Sequence, residues 1–84
     1  MHYYKVQAEH VSRLDIGKAA EEMERLGAMV MVAARDEVFD HEAVWIVASE
    51  EKLGDQLQDI VWRYNDGAWC NMHEIDEDLA DSYC

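Results

Sequence analysis

Two stretches of this chain carry both a helix start and a helix stop, and their positions leave few orders in which the remaining elements can be arranged. Val11-Ser12-Arg13-Leu14-Asp15-Ile16 opens the first. Ser12 is an N-cap residue, Asp15 three positions on completes a capping-box variant, and Val11 can staple to Ile16. Ile16, Ala19, Ala20, Met23 and Leu26 follow at helical spacing, and Gly27 stands where a left-handed C′ residue is wanted. The second stretch is predicted to start at Ser49, with Glu50 and Glu51 favourably placed against the helix dipole. Its inner stripe is Leu53, Leu57, Ile60, Val61 and Tyr64, and Asn65-Asp66-Gly67 stops it.

Strand patterns fill the gaps. Residues 2–9 alternate, with Tyr4, Val6 and Ala8 on one side and Tyr3, Lys5, Gln7 and Glu9 on the other. Ala28–Arg35 is short, apolar and bounded, which predicts a strand buried on most of both faces. Arg35–His41 reads as a hairpin connection. Glu42–Ala48, with Val44, Trp45, Ile46 and Val47, has a strong strand composition. Ala68–His73 supplies a fourth strand.

The order βαββαβ predicts one α+β domain over residues 1–84, with the ferredoxin-like arrangement: a four-stranded antiparallel sheet and two helices on one face. The excess is a short acidic C-terminal helix or tail over residues 74–84, where Ile75, Leu79 and Tyr83 recur at i, i+4 and i+8. An isolated helix of this length is marginal in water, so it should form only by docking that stripe on the body. If Tyr4, Val44 and Ile46 point toward the helices, then Tyr3, Trp45 and Val47 point away. That face would be a larger apolar patch than a monomer usually leaves wet, and a second subunit or the tail would cover it.

Charge narrows the function. The chain has 19 acids against 7 bases, a net charge of −12, and no Lys or Arg follows Arg63. Such self-repulsion weakens a fold, so it serves solubility or a positive partner. Direct nucleic-acid binding is excluded, because phosphate contacts need a cationic footprint. The apolar runs are far short of the roughly 20 residues that span a bilayer, and Met1-His2-Tyr3-Tyr4-Lys5 is no signal pattern. A cytoplasmic protein with two reduced thiols, Cys70 and Cys84, is expected.

No catalytic motif competes with the charge. Cys70-x-x-His73 has the spacing of half a zinc site, but no second pair exists and a strand would aim the two side chains to opposite faces. Asp76 and Asp78 lack the glycine and spacing of a calcium loop. The third strand has no aromatic and basic RNA-binding motif, and Glu9-His10-Val11-Ser12 has neither a Cys-x-x-Cys nor a phosphate-cradling glycine loop. The chain is therefore expected to be no enzyme and to need no cofactor or metal.

Trp62 lies opposite the inner stripe of the second helix, with Asp55, Gln58 and Asp59 as its wheel neighbours, and a solvent-side Trp among carboxylates is the pattern of an interface hot spot. Glu21 and Glu24 on the first helix, and Asp76, Glu77 and Asp78 in the tail, extend the acidic surface. In size, single-domain build, charge and clusters such as Glu21-Glu22-x-Glu24 and Asp76-Glu77-Asp78, the chain resembles small acidic inhibitors of phages and mobile elements, the anti-CRISPR and anti-restriction proteins. The resemblance implies a protein that fills a basic nucleic-acid-binding groove with carboxylates in place of phosphates. The alternative is a homodimeric regulatory or accessory domain that associates through Tyr3, Trp45 and Val47.

Overall fold

The computed structural model describes residues 1–36 and 42–83. His41, Cys84 and most of the expected hairpin connection lie outside the described residues. Seven elements follow in order: β1 (His2–Glu9), α1 (Arg13–Arg25), β2 (Met29–Arg35), β3 (Glu42–Ser49), α2 (Gln56–Trp62), β4 (Cys70–Ile75) and α3 (Glu77–Ser82). The chain is α+β, with a four-stranded antiparallel sheet in the order β2-β3-β1-β4 and three helices. Because every neighbouring pair is antiparallel, β1 and β2 run the same way with β3 between them. By the same logic β3 and β4 run the same way with β1 between them.

The first helix forms where its signals stand. Ser12 Oγ accepts the Asp15 N–H at 3.1 Å, and Gly27 closes the helix at φ +94°, a conformation that favours glycine. The second helix starts seven residues later than its predicted cap. Ser49 Oγ instead accepts the Glu51 N–H at 3.2 Å, and the Tyr4 hydroxyl accepts the Leu53 N–H at 2.9 Å. With those donors satisfied by side chains, residues 50–54 form a loop pinned to the sheet. Leu53 belongs to the apolar pattern because it is buried from that loop, not because it lies on the helix.

The expected facing of the central strands is corrected. The register sets Tyr4 opposite Val47 and Val6 opposite Trp45, and cross-strand partners share a face. Trp45 and Val47 therefore join Tyr4, Val6, Ala8, Ile16, Met23, Leu57 and Val61 in the core beneath α1 and α2. Both are 0 % exposed, and Trp45 Nε1 donates to the Ile16 carbonyl at 3.1 Å. Val44 and Ile46 lie on the other face with Ala80, Tyr3, Met31, Val32 and Ile75. The expected facing differs from this register by one residue, which exchanges the two faces.

The central strand β3 is buried on both faces, which the alternation alone did not reveal. Conversely β2, predicted to be mostly buried, is an edge strand with Met29, Ala33 and Ala34 exposed. β4 starts two residues later than predicted. Asn65 Nδ2 donates to the Ala68 and Trp69 carbonyls and to Glu9 O, so the chain enters the sheet only at Cys70.

The C-terminal segment folds as α3 and covers part of the second sheet face. It docks through Ala80, which is 0 % exposed, whereas Leu79 and Tyr83 are exposed at 44 % and 38 %. The predicted stripe fails because Ile75 still belongs to β4, and Asp76 is the cap rather than a helical residue.

Candidate functional site

The register fixes which turns leave the same end of the sheet. His2 pairs with Ser49, Tyr3 with Ile75 and Met29 with Ala48. The α1–β2 turn, the β3–α2 loop and the β4–α3 junction therefore emerge together. Glu24, Glu50, Glu51, Asp55, Asp76, Glu77 and Asp78 are carried there, all exposed. These seven carboxylates share that end of the sheet with two exposed bases, Arg25 and Lys52, so the end is acidic on balance.

Of the carboxylates expected to matter, this end brings together Glu24, Asp55, Asp76, Glu77 and Asp78. Asp76 is partly committed, because its Oδ1 accepts the Leu79 N–H at 2.7 Å as the α3 cap. Glu77 and Asp78 occupy the first turn of α3, where the dipole favours negative charge. Glu77 and Asp81 also lie near Tyr3, whose phenol is raised by burial first and by these two carboxylates next. Glu50 and Glu51, expected to face the helix dipole, lie in an exposed loop because α2 starts late. Counting them from the end of β3, rather than from an assumed cap, would have placed them in the acidic group.

The remaining expected residues lie elsewhere. Glu21 is exposed about one turn before Glu24, and Asp59 is exposed in the first turn of α2. Trp62 is exposed at 40 %, at the C-terminal end of α2, away from the acidic end. Gln58 is not its outer neighbour: it is half-buried and its Nε2 donates to the Cys70 carbonyl at 3.4 Å. Trp69, exposed at 45 % immediately before β4, is a second surface aromatic that the strand reading had hidden. The expected dimer face of Tyr3, Trp45 and Val47 does not exist as a surface, since Trp45 and Val47 are core and Tyr3 packs beside α3.

One acid of α1 is structural. Glu22 Oε1 meets Arg63 at 2.7 Å, and its other oxygen accepts the Tyr64 hydroxyl. That hydrogen bond is the leading reason the Tyr64 phenol is raised. It ties α1 to the end of α2 and removes Glu22 from the surface charge available to a partner. Cys70 packs against the core while His73 is exposed opposite Lys5, so the two alternate across β4. Burial pushes the Cys70 thiol up to about 11, which keeps it protonated at neutral pH.

No family model, curated protein or solved structure matches this chain. Among the described residues, no helix is long and apolar enough to cross a membrane.

Proposed function

We propose that this chain is a non-enzymatic acidic binding protein that inhibits a nucleic-acid-handling partner. Its carboxylates stand in the partner's basic groove where phosphates would otherwise lie, as in the anti-CRISPR-like class of inhibitors. The observation that carries the reading is the acidic end, where Glu24, Glu50, Glu51, Asp55, Glu77 and Asp78 are exposed and supported by short loops on a rigid sheet. Carboxylates held this way can accept charge-assisted, bidentate hydrogen bonds from Arg and single ones from Lys. Long-range attraction from a net charge of −12 would steer encounter with a cationic groove. Asp59 and Glu21 flank this surface along the helices, and Trp62, at the far end of α2, would be a separate aromatic contact. No cofactor is required, and the proposed site of action is the cytoplasm of the host cell.

The scaffold we assign to this function is the ferredoxin-like one. Read from the β4 edge, the strand order is 4-1-3-2, and each strand–helix–strand unit straddles a strand of the other. Such a scaffold hosts many activities, so the functional reading rests on the acidic surface and not on the fold.

Affinity capture from host lysate tests the proposal. The wild-type chain should retain a basic nucleic-acid-binding protein that added duplex or single-stranded nucleic acid displaces. A chain with Glu50→Gln, Glu51→Gln, Asp55→Asn, Glu77→Gln and Asp78→Asn should lose it. Retention of only neutral or acidic partners, or capture indifferent to nucleic acid, contradicts it.

A further inference from the structure

Three of the exposed large apolar side chains are gathered in one place. Met1, Leu26 and Met29 stand before β1, at the end of α1 and at the start of β2, and are 65 %, 46 % and 57 % exposed. With Ala48 they form the apolar wall of a hollow of about 380 Å³, and Glu50 and Glu51 form its acidic wall. That acidic wall is held from behind. The Glu51 N–H donates to Ser49 Oγ at 3.2 Å and the Leu53 N–H to the Tyr4 hydroxyl at 2.9 Å, so the loop carrying both carboxylates is anchored to the sheet.

Neither wall is satisfied from within. Among the described residues, Glu50 and Glu51 form no ion pair, and Arg25 and Lys52, the bases of the same end, form none with them. The C-terminal end of α1 adds partial negative charge beside Leu26, part of which Arg25 in its last turn offsets. An apolar wall facing two unpaired carboxylates suits a ligand that is apolar along its length and cationic at its tip. The volume is at the small end of ligand sites, roughly 300–1,000 Å³, which suits one long side chain and not a helix or a strand.

We infer that this hollow takes a single arginine side chain and is the anchor point of the acidic end. The inference rests on the reading of that end as a surface for a cationic partner, and it names the group that enters. The aliphatic stem lies along Met1, Leu26 and Met29, whose flexible side chains adapt to its shape. The guanidinium meets Glu50 and Glu51, and its planar set of donors serves two neighbouring carboxylates at once. Lysine fits less well, because its compact, strongly hydrated ammonium loses more water contact in a half-apolar hollow. A neutral side chain leaves both carboxylates unpaired. Charge complementarity selects a cation, and the apolar wall selects arginine among cations.

Titrating the full chain, labelled with ¹³C at the methionine methyls, with N-acetyl-arginine amide tests this. The methyls of Met1 and Met29 should shift and saturate. The citrulline amide, which has the shape without the charge, and the lysine amide should each bind about fivefold weaker or less. Leu26→Ser and Met29→Ser, at exposed positions and without a change of charge, should each weaken the probe about fivefold and leave the urea midpoint unchanged. Glu50→Gln with Glu51→Gln should weaken it as much. Asp66→Asn with Asp81→Asn, which removes the same charge outside the hollow, should change it by about twofold at most. Shifts that never saturate, equal binding of citrulline, indifference to both Ser variants, or equal weakening by the two double carboxylate variants would overturn the inference. Capture from lysate separates it from the function proposed above. A Leu26→Ser, Met29→Ser chain that retains the basic partner at the wild-type level, while the five-carboxylate variant loses it, overturns the arginine anchor and leaves the acidic surface standing. Saturable, arginine-selective binding of the probe with no basic protein captured supports the pocket and overturns the proposed function.

Discussion

Trp45 shows how much one side chain decides in a domain of 84 residues. It is fully buried, fills the space between β3 and α1, and satisfies its indole N–H on the Ile16 carbonyl. Truncation removes this packing and opens a cavity, so Trp45→Ala should cost about 3–5 kcal/mol in urea unfolding. Trp62→Ala, at an exposed position, should cost roughly 0.5 kcal/mol or less. Equal losses would contradict the assignment of faces. Cys70 gives a pH signature at the same scale. Its folded value of about 11 lies above the ordinary 9.0, so the folded state holds the proton more tightly. Stability is thus fully present below pH 9 and falls as pH rises from 9 toward 11. Allowing for the partial exposure of the thiol, the loss is about 1–2 kcal/mol. Cys70→Val should flatten that part of the stability–pH curve; an unchanged slope would show that the thiol is not desolvated.

The elements were legible where local chemistry and tertiary contacts agree. The cap at Ser12, the stop at Gly27 and the stripe Ile16/Ala19/Ala20/Met23 are realised in α1, whereas Leu26, the last residue of the expected stripe, is the C-cap and is exposed. For α2 the local signals at Ser49, Glu50 and Glu51 lost to a long-range hydrogen bond that the Leu53 N–H donates to the Tyr4 hydroxyl, 49 residues away, which no local pattern contains. The facing of β3 failed for a related reason. A strand buried on both sides has no alternation to read, and only its register against Tyr4 and Val6 settles which residues lie under the helices. In α3 the helix was legible and its inner residue was not, because the count began in β4. Ala80→Asp tests the docking now assigned. It places a carboxylate against Val44 and Ile46, so residues 77–83 should become mobile in backbone relaxation while amides of α1 and β3 keep their protection. A still-rigid α3 in that variant would show that Ala80 is not its anchor.

For the whole molecule, charge was legible as a total and illegible as a pattern. Helical spacing alone places the acids on two outward helix faces around Trp62. The fold instead collects them where the α1–β2 turn, the β3–α2 loop and the start of α3 leave one end of the sheet, and it sends Trp62 toward the other. Chain topology makes that collection, since residues 24, 50–55 and 76–78 are distant in sequence and share one end of the sheet only because the strand ends align. Glu22, by contrast, belongs to the same sequence cluster as Glu21 and Glu24 and is withdrawn to hold Arg63 and Tyr64. The central claim is that the acidic end forms one recognition surface for cationic groups. Titrating the ¹⁵N-labelled chain with a short arginine-rich peptide, and mapping amide shifts residue by residue, tests it most directly. The account predicts that the largest shifts cluster at residues 24, 50–55 and 76–78 and fade with added salt; shifts spread evenly over all carboxylates, or centred on the middle of α1, would contradict it.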